Sequence, residues 1–266
     1  MKNIAIVTGA SSGIGREFVK LLLKRTEIDE IWIIARNADR LQSMVAEFGD
    51  KLKSVPMDMS NIEQIKSLTD TLKNADAKIS FLINSAGFGK FGSCSDVGID
   101  ESVNMINLNI SGLVAMGLVC VPFMARGSRI INIASQASFQ PLPYLNVYSA
   151  TKAFVRNYSR ALNVELKERG ITVTAVCPGW MNTAFIDRGK TDTAKSVNKF
   201  VNMVTPDVVA EKALRDSLRG RDISTYSLYV KFNRLIAKLL PQRLLMKIWL
   251  RQQRWLNPIC SILTFN

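Results

Sequence analysis

Six short runs of apolar residues recur along the first two-thirds of the chain, at 3–8 (NIAIVT), 30–35 (EIWIIA), 52–57 (LKSVPM), 79–84 (ISFLIN), 128–134 (SRIINIA) and 171–177 (ITVTAVC). Each is rich in β-branched residues and continuous rather than alternating, as befits a strand buried on both faces. Helical patterns lie between them, such as 14–25 (IGREFVKLLLKR) and 146–170 (NVYSATKAFVRNYSRALNVELKERG), the latter expected to stop at Gly170. Strand–helix alternation implies parallel strands joined by right-handed crossovers. The expected fold is a doubly wound parallel α/β sheet in a single domain, with its ligands beyond the carboxyl ends of the strands.

After Cys177 the pattern loosens. Residues 180–200 have the irregular character of a lid. A helix is expected over 205–220, with Thr205 as N-cap and Pro206 in the first turn. The run 224–230 (STYSLYV) reads as a final strand, followed by amphipathic helix broken at Pro241. The division expected is a catalytic domain over 1–222 and a basic amphipathic tail over 223–266.

Charge sharpens that division. The net charge is +13, and residues 223–266 hold seven basic side chains (Lys231, Arg234, Lys238, Arg243, Lys247, Arg251 and Arg254) and no acidic one. With leucines at helical spacing, and with Trp249 and Trp255, this tail can lie in a membrane surface, cap the protein's own pocket or pair with another subunit. Its apolar content argues against nucleic acid as a partner. No apolar run approaches the roughly 20 residues of a membrane span, since 113–125 is short and contains Pro122. The N-terminal run is too brief for a signal peptide. Cys94, Cys120, Cys177 and Cys260 show no C-x-x-C spacing and are expected reduced, buried and cytoplasmic. The chain has no histidine, which excludes a Ser-His-Asp hydrolase and most zinc enzymes. No metal site is expected, and acid–base chemistry falls to Tyr, Lys, Asp, Glu or Cys.

The first turn, Thr8-Gly9-Ala10-Ser11-Ser12-Gly13-Ile14-Gly15, follows one strand and opens one helix. Free amides at a helix N-terminus form an anion site, and glycines let a pyrophosphate approach the main chain. The spacing T-G-x-x-x-G-x-G resembles the short-chain dehydrogenase/reductase family. So do Asn84-Ser85-Ala86-Gly87 at the end of strand four (the family has N-N-A-G, so Ser85 departs), Asn109 in NLNISG, Ser135 thirteen residues before Tyr148, Tyr148 and Lys152 in YSATK, and Pro178-Gly179 with Thr183 nearby. The match spans roughly residues 3 to 220.

That resemblance implies roles. Gly9, Ser11, Ser12, Gly13, Ile14, Gly15, Asp58, Met59, Asn84, Ala86, Gly87, Tyr148, Lys152, Pro178, Gly179 and Thr183 would contact a nicotinamide dinucleotide. Ser135 would orient the substrate oxygen, Tyr148 would act as general acid/base, Lys152 would hold the nicotinamide ribose, and Asn109 would hold a water in a proton relay. The residues themselves favour this pair, because Tyr148 is the only tyrosine with a lysine four positions on, one helical turn away. The ammonium is expected to draw the phenol from about 10 towards 7. Ser138 is the rival serine. Strand two ends without an acid, and Arg36, with Arg40 a turn later, suits a 2′-phosphate, so NADP(H) is the cofactor expected.

Gln136, Tyr144 and Trp180, with Phe88, Phe91, Leu142 and Phe185, are the candidates for a hydrophobic substrate pocket. The expected function is NADP(H)-dependent interconversion of a carbonyl and a secondary alcohol on a ketoacyl-, steroid- or retinoid-like substrate, in a homodimer or homotetramer, as is common in the family. The alternatives are a catalytically silent NADP(H)-binding scaffold, or a peripheral membrane or assembly protein acting through its tail.

Overall fold

Seven parallel strands form one sheet in the order β3-β2-β1-β4-β5-β6-β7 in a computed structural model that describes residues 1–191 and 197–253. The strands are β1 (Lys2–Thr8), β2 (Glu30–Ala35), β3 (Leu52–Pro56), β4 (Ala77–Asn84), β5 (Met124–Ile133), β6 (Thr172–Val176) and β7 (Ile223–Ser224). The doubly wound sheet foreseen from the alternating pattern is the fold observed. Successive strand residues serve opposite cores. Ala5, Val7, Ile31 and Ile33 pack on one face with Phe18 and Leu22 of α1 (Gly13–Leu23), Leu41 and Met44 of α2 (Ala38–Phe48), and Val209 and Ala213 of the C-terminal helix over Pro206–Leu218. Ile4, Ile6, Trp32 and Ile34 face the other layer, with Leu68 and Leu72 of α3 (Ile62–Asn74). Continuous apolar runs therefore feed two cores at once.

That second layer continues through α4 (Ile99–Ile106), a π-helical turn (Asn107–Gly112) and α5 (Leu113–Cys120). The uninterrupted helical path Ile99–Phe123 has 25 residues and an 18-residue stretch with a mean hydropathy of 1.8, long and apolar enough to cross a membrane by length and composition. On sequence alone, 113–125 is set aside as short and interrupted by Pro122. Here Met116 and Cys120 are buried against the sheet.

Three further expectations are corrected. First, α6 (Asn146–Glu165) ends before Gly170, because the Leu166 amide closes on the Leu162 carbonyl and residues 167–170 make a separate turn into β6. Second, STYSLYV contributes only its first residue to β7. The Ser227 side chain accepts a hydrogen bond from the Val230 amide and starts α9 (Leu228–Leu239), an N-cap that overrides the strand-like composition. Third, Cys94 is exposed, whereas Cys120 and Cys177 are buried; Cys260 lies outside the described residues.

The remaining helices are α7 (Phe185–Gly189), α8 (Pro206–Leu218) and α10 (Gln242–Gln252). Thr205 precedes α8 as expected but makes no side-chain cap bond. The boundary drawn at 222 falls immediately before β7, which pairs with β6. The chain leaves β1 towards β2 on one side and reaches β4 on the other, and this reversal opens a crevice at the carboxyl ends of the strands.

Candidate active site

One cavity of about 370 Å³ occupies that crevice. Its first wall is main chain. Gly9 and Gly13 have φ of 65° and 54°, and Gly9 lies so close to β4 that an added Cβ would stand 2.8 Å from the Ala86 backbone. A Cβ on Gly15 would run into the Gly9 carbonyl and Ser85 Oγ. Thr8 holds the other strap: its Oγ1 accepts hydrogen bonds from the Ser85 and Ala86 amides at 3.1 and 3.2 Å, and the Ser85 hydroxyl donates to its carbonyl. Ser85, where the resembled family has Asn, thus stitches β4 to β1. The cradle leaves the amides at the start of α1 facing the cavity. Ser12 stands at its N-cap without bonding them, so they are open to an anion.

Arg36, Asn37 and Arg40 line the same end, with Asp58 and Met59 after β3. Arg36 and Arg40 are exposed and make no ion pair among the described residues. Asn37 caps α2 by accepting from the Arg40 amide at 2.8 Å, which fixes the loop carrying Arg36. Thr183 packs beside Gly13, its Cγ2 3.5 Å from the point a Cβ would occupy there.

At the far end Ser135, Tyr148 and Lys152 converge, all buried. Ser135 Oγ also accepts from the Ala137 amide at 3.1 Å, which locks the strand-end turn. Ser138 turns away, its hydroxyl 3.8 Å from Cys177 Sγ, so the rival serine is not at the site. Lys152 Nζ donates to the Ile133 carbonyl at 2.7 Å and lies 5.8 Å from the Tyr148 ring centre. Burial pushes the Lys152 ammonium down to about 8, with Cys177 pulling weakly the other way.

Burial also pushes the Tyr148 phenol up, to about 12, while a hydrogen bond with Ser135 opposes the rise. The expected fall towards 7 is therefore reversed. A group taken out of water loses more from desolvation of its anion than it gains from a lysine that is itself desolvated. The result is a neutral phenol, a proton donor at neutral pH.

Asn109 sits in the π-helical turn, a distortion frequent at functional sites. Its Nδ2 donates to the Phe88 carbonyl (2.9 Å) and to Thr151 Oγ1 (3.1 Å), and its Oδ1 accepts from the Phe88 amide (3.1 Å). Asn109 Oδ1 and Lys152 Nζ flank one spot beside Gly87, 2.8 and 3.4 Å from the point a Cβ would occupy there.

Not every expected residue reaches the cavity. The Asn84 side chain points along the sheet, donating to Asn132 Oδ1 at 2.9 Å, because β4 and β5 pair these two positions directly. Tyr144 takes φ of 64° in a tight turn whose carbonyl accepts from the Gly92 amide, and its side chain is not in the lining. Phe91 is fully buried behind the wall, against Trp180, Phe185 and Phe200. Gln136, Trp180, Phe88, Leu142 and Phe185 do line the pocket, with the Phe185 ring 5.4 Å from that of Tyr148.

The sequence pattern missed Leu145 and Arg188, and it offered Trp249 only within a tail that could cap the pocket; Trp249 comes from α10, is buried in the lining, and donates from Nε1 to the Pro143 carbonyl at 3.0 Å. Trp249 thus belongs to the pocket and not to an outward face; Trp255 lies outside the described residues.

Comparisons with known proteins agree with this geometry. The sequence model of the short chain dehydrogenase family matches residues 3–194. An uncharacterized oxidoreductase of Staphylococcus aureus (strain N315) is 35% identical over 184 residues, covering 68% of this chain and 79% of the relative. Among solved structures, a short-chain dehydrogenase from Sphingobium yanoikuyae in complex with NADPH is 25% identical with a TM-score of 0.75, covering 93% of this chain and 96% of that one. A serine dehydrogenase complexed with NADP+ is 29% identical with a TM-score of 0.74, covering 84% and 93%. The fold and these matches define an oxidoreductase of the doubly wound class. The chain belongs to the short-chain dehydrogenase family.

Proposed function

We propose that this protein is an NADP(H)-dependent oxidoreductase interconverting a carbonyl and a secondary alcohol on a hydrophobic substrate of ketoacyl-, steroid- or retinoid-like character. The observation that carries the proposal is the continuity of one cavity from the glycine turn to Ser135, Tyr148 and Lys152. The glycine cradle, which no side chain could share, fits a pyrophosphate. The guanidinium groups of Arg36 and Arg40, unpaired among the described residues, fit a ribose 2′-phosphate, and two of the similar solved structures hold NADPH and NADP+. When bound, the nicotinamide supplies or accepts the hydride.

The chain's own residues handle the proton. In reduction the neutral Tyr148 hydroxyl gives its proton to the substrate oxygen as the carbonyl carbon receives hydride; in oxidation it takes that proton back. Ser135 Oγ orients the same oxygen. Lys152, anchored on Ile133, holds the cofactor ribose, and its position beside Asn109 provides a path for the proton's replacement. Phe185, Trp180, Leu142 and Trp249 exclude water and receive the apolar part of the substrate. Exposed apolar side chains on α4 and α6, including Ile99, Val103 and Phe154, support a homodimer or homotetramer. The expected setting is the cytoplasm.

A panel of hydrophobic ketones and secondary alcohols, followed by the absorbance of reduced nicotinamide with NADPH or NADP+, tests this. Turnover is expected, with NADH the poorer cofactor. A purified chain with no affinity for either dinucleotide overturns it.

A further inference from the structure

The two C-terminal helices are amphipathic the wrong way round for a helix pair packed on its own domain. On α9 the outward residues include Leu228, Phe232, Leu235 and Leu239, which are 80, 60, 53 and 71% exposed. Their spacing of four, three and four puts them on one helical face. Leu244 and Ile248 extend the apolar surface along α10. Only Val230 of α9, and Leu245 and Trp249 of α10, are buried. These inner residues hold the pair against the active site: α9 packs on the turn Gln136–Phe139, and Trp249 enters the cavity.

The outer face is also cationic. Residues 223–253 contain Lys231, Arg234, Lys238, Arg243, Lys247 and Arg251 and no acid. None of the six forms an ion pair among the described residues; Arg234 turns inward over the Phe139 ring, and the other five are exposed. Lys231 and Lys238 flank the leucine stripe, and Arg243, Lys247 and Arg251 form a parallel row at spacing four on α10.

We propose that α9 and α10 form an interfacial docking surface for an anionic lipid bilayer, with the leucine stripe entering the headgroup boundary and the basic row meeting lipid phosphates. Charge complementarity selects this occupant. Two copies meeting face to face would oppose five outward cations to five, and residues 254–266, with Arg254 and no acid, bring no countercharge. Apolar area and cationic charge together are the physical requirements for interfacial binding. Docking stands independently of the hydride chemistry, although α10 also reaches the pocket through Trp249.

Flotation of the full-length chain with vesicles tests the proposal, using phosphatidylcholine alone or with about 30 mol% phosphatidylglycerol at low salt. Binding is expected only to the anionic vesicles and is expected to fall steeply at ~0.5 M salt. K231Q/K238Q should weaken partition by about thirtyfold. F232S/L239S should weaken it by roughly tenfold or more. All four residues are exposed and outside the cavity, so both variants should keep the cofactor affinity of the parent chain, a control read without vesicles. Three results overturn the proposal: no binding to anionic vesicles, equal binding to neutral ones, or a self-association abolished by F232S/L239S in a chain that ignores lipid.

Discussion

The cavity has two walls of different material. Around β1, β2 and β4 the surface is peptide backbone and short polar side chains: Gly9, Gly13, Gly15, Ser85 and Ala86, held in place by Thr8. Around β5, α6 and the C-terminal helices it is ring and branched side chain: Leu142, Tyr148, Trp180, Phe185 and Trp249. A backbone wall has one shape and cannot adapt, which suits a ligand that never changes. A side-chain wall can repack and can be altered one residue at a time, which suits a substrate that differs between relatives. Under the proposed function the first wall would hold the cofactor and the second would receive the substrate.

The largest effect should come where the walls meet. Tyr148→Phe keeps the ring packed on Phe185 but removes the proton. It should cut kcat by about 10²- to 10⁴-fold with cofactor affinity unchanged. Activity near the parent level, in the presence of tight NADPH binding, would assign the proton to another group. Trp249→Ala tests the apolar wall alone. It should lower kcat/KM by about 10- to 200-fold for large apolar substrates and little for small ones, whereas a uniform loss across sizes would make Trp249 a purely structural residue. Arg36→Gln tests the backbone end. It should weaken NADPH binding about ten- to a hundredfold and leave NADH binding as it was. Equal losses for both would move the 2′-phosphate contact elsewhere.

The same contrast explains what was legible in the sequence. The glycine turn, Tyr148 with Lys152, and Ser135 are recognisable because the main chain that positions them is local, a strand end or one helical turn. Trp249 was legible only as one of three uses of the tail, since it lies about a hundred residues beyond Tyr148 and reaches the pocket only through tertiary packing of α10. Asn84 was misplaced because pairing with Asn132 across β4 and β5 is invisible along one strand. The sign of the Tyr148 shift was missed because a one-turn charge sum omits desolvation. The π-helical turn that aims Asn109 leaves no trace in side-chain periodicity.

A matched pair of substitutions presses on the rigidity of each wall. In Gly15→Ala the new methyl meets the Gly9 carbonyl, so backbone must move. A loss of about 1–3 kcal/mol in stability is expected, with weaker dinucleotide binding. Phe185→Leu should cost less than about 1.5 kcal/mol because neighbouring rings can close in. Chemical denaturation of both variants decides this, and the comparison of walls fails if the order is reversed.

Lys152 stands on the seam, and its buried charge has an effect that shows only as pH changes. The folded chain releases this proton near pH 8, while an unfolded chain holds it until about 10.5. Between those values the unfolded state binds more protons, so stability attributable to Lys152 rises with pH. Tyr148 acts oppositely, but only above pH 10, where the unfolded phenol ionises and the folded one, at about 12, does not. The informative window is therefore about pH 7.5 to 10. Lys152→Met removes the ammonium while keeping an unbranched apolar stem. Relative to this variant, the parent chain should gain on the order of 1–3 kcal/mol across that window, measured by urea unfolding at fixed ionic strength. Parallel stability curves would mean that Lys152 keeps its ordinary affinity for the proton. The ammonium would then be hydrated in the folded state, and the seam between the walls would be wet.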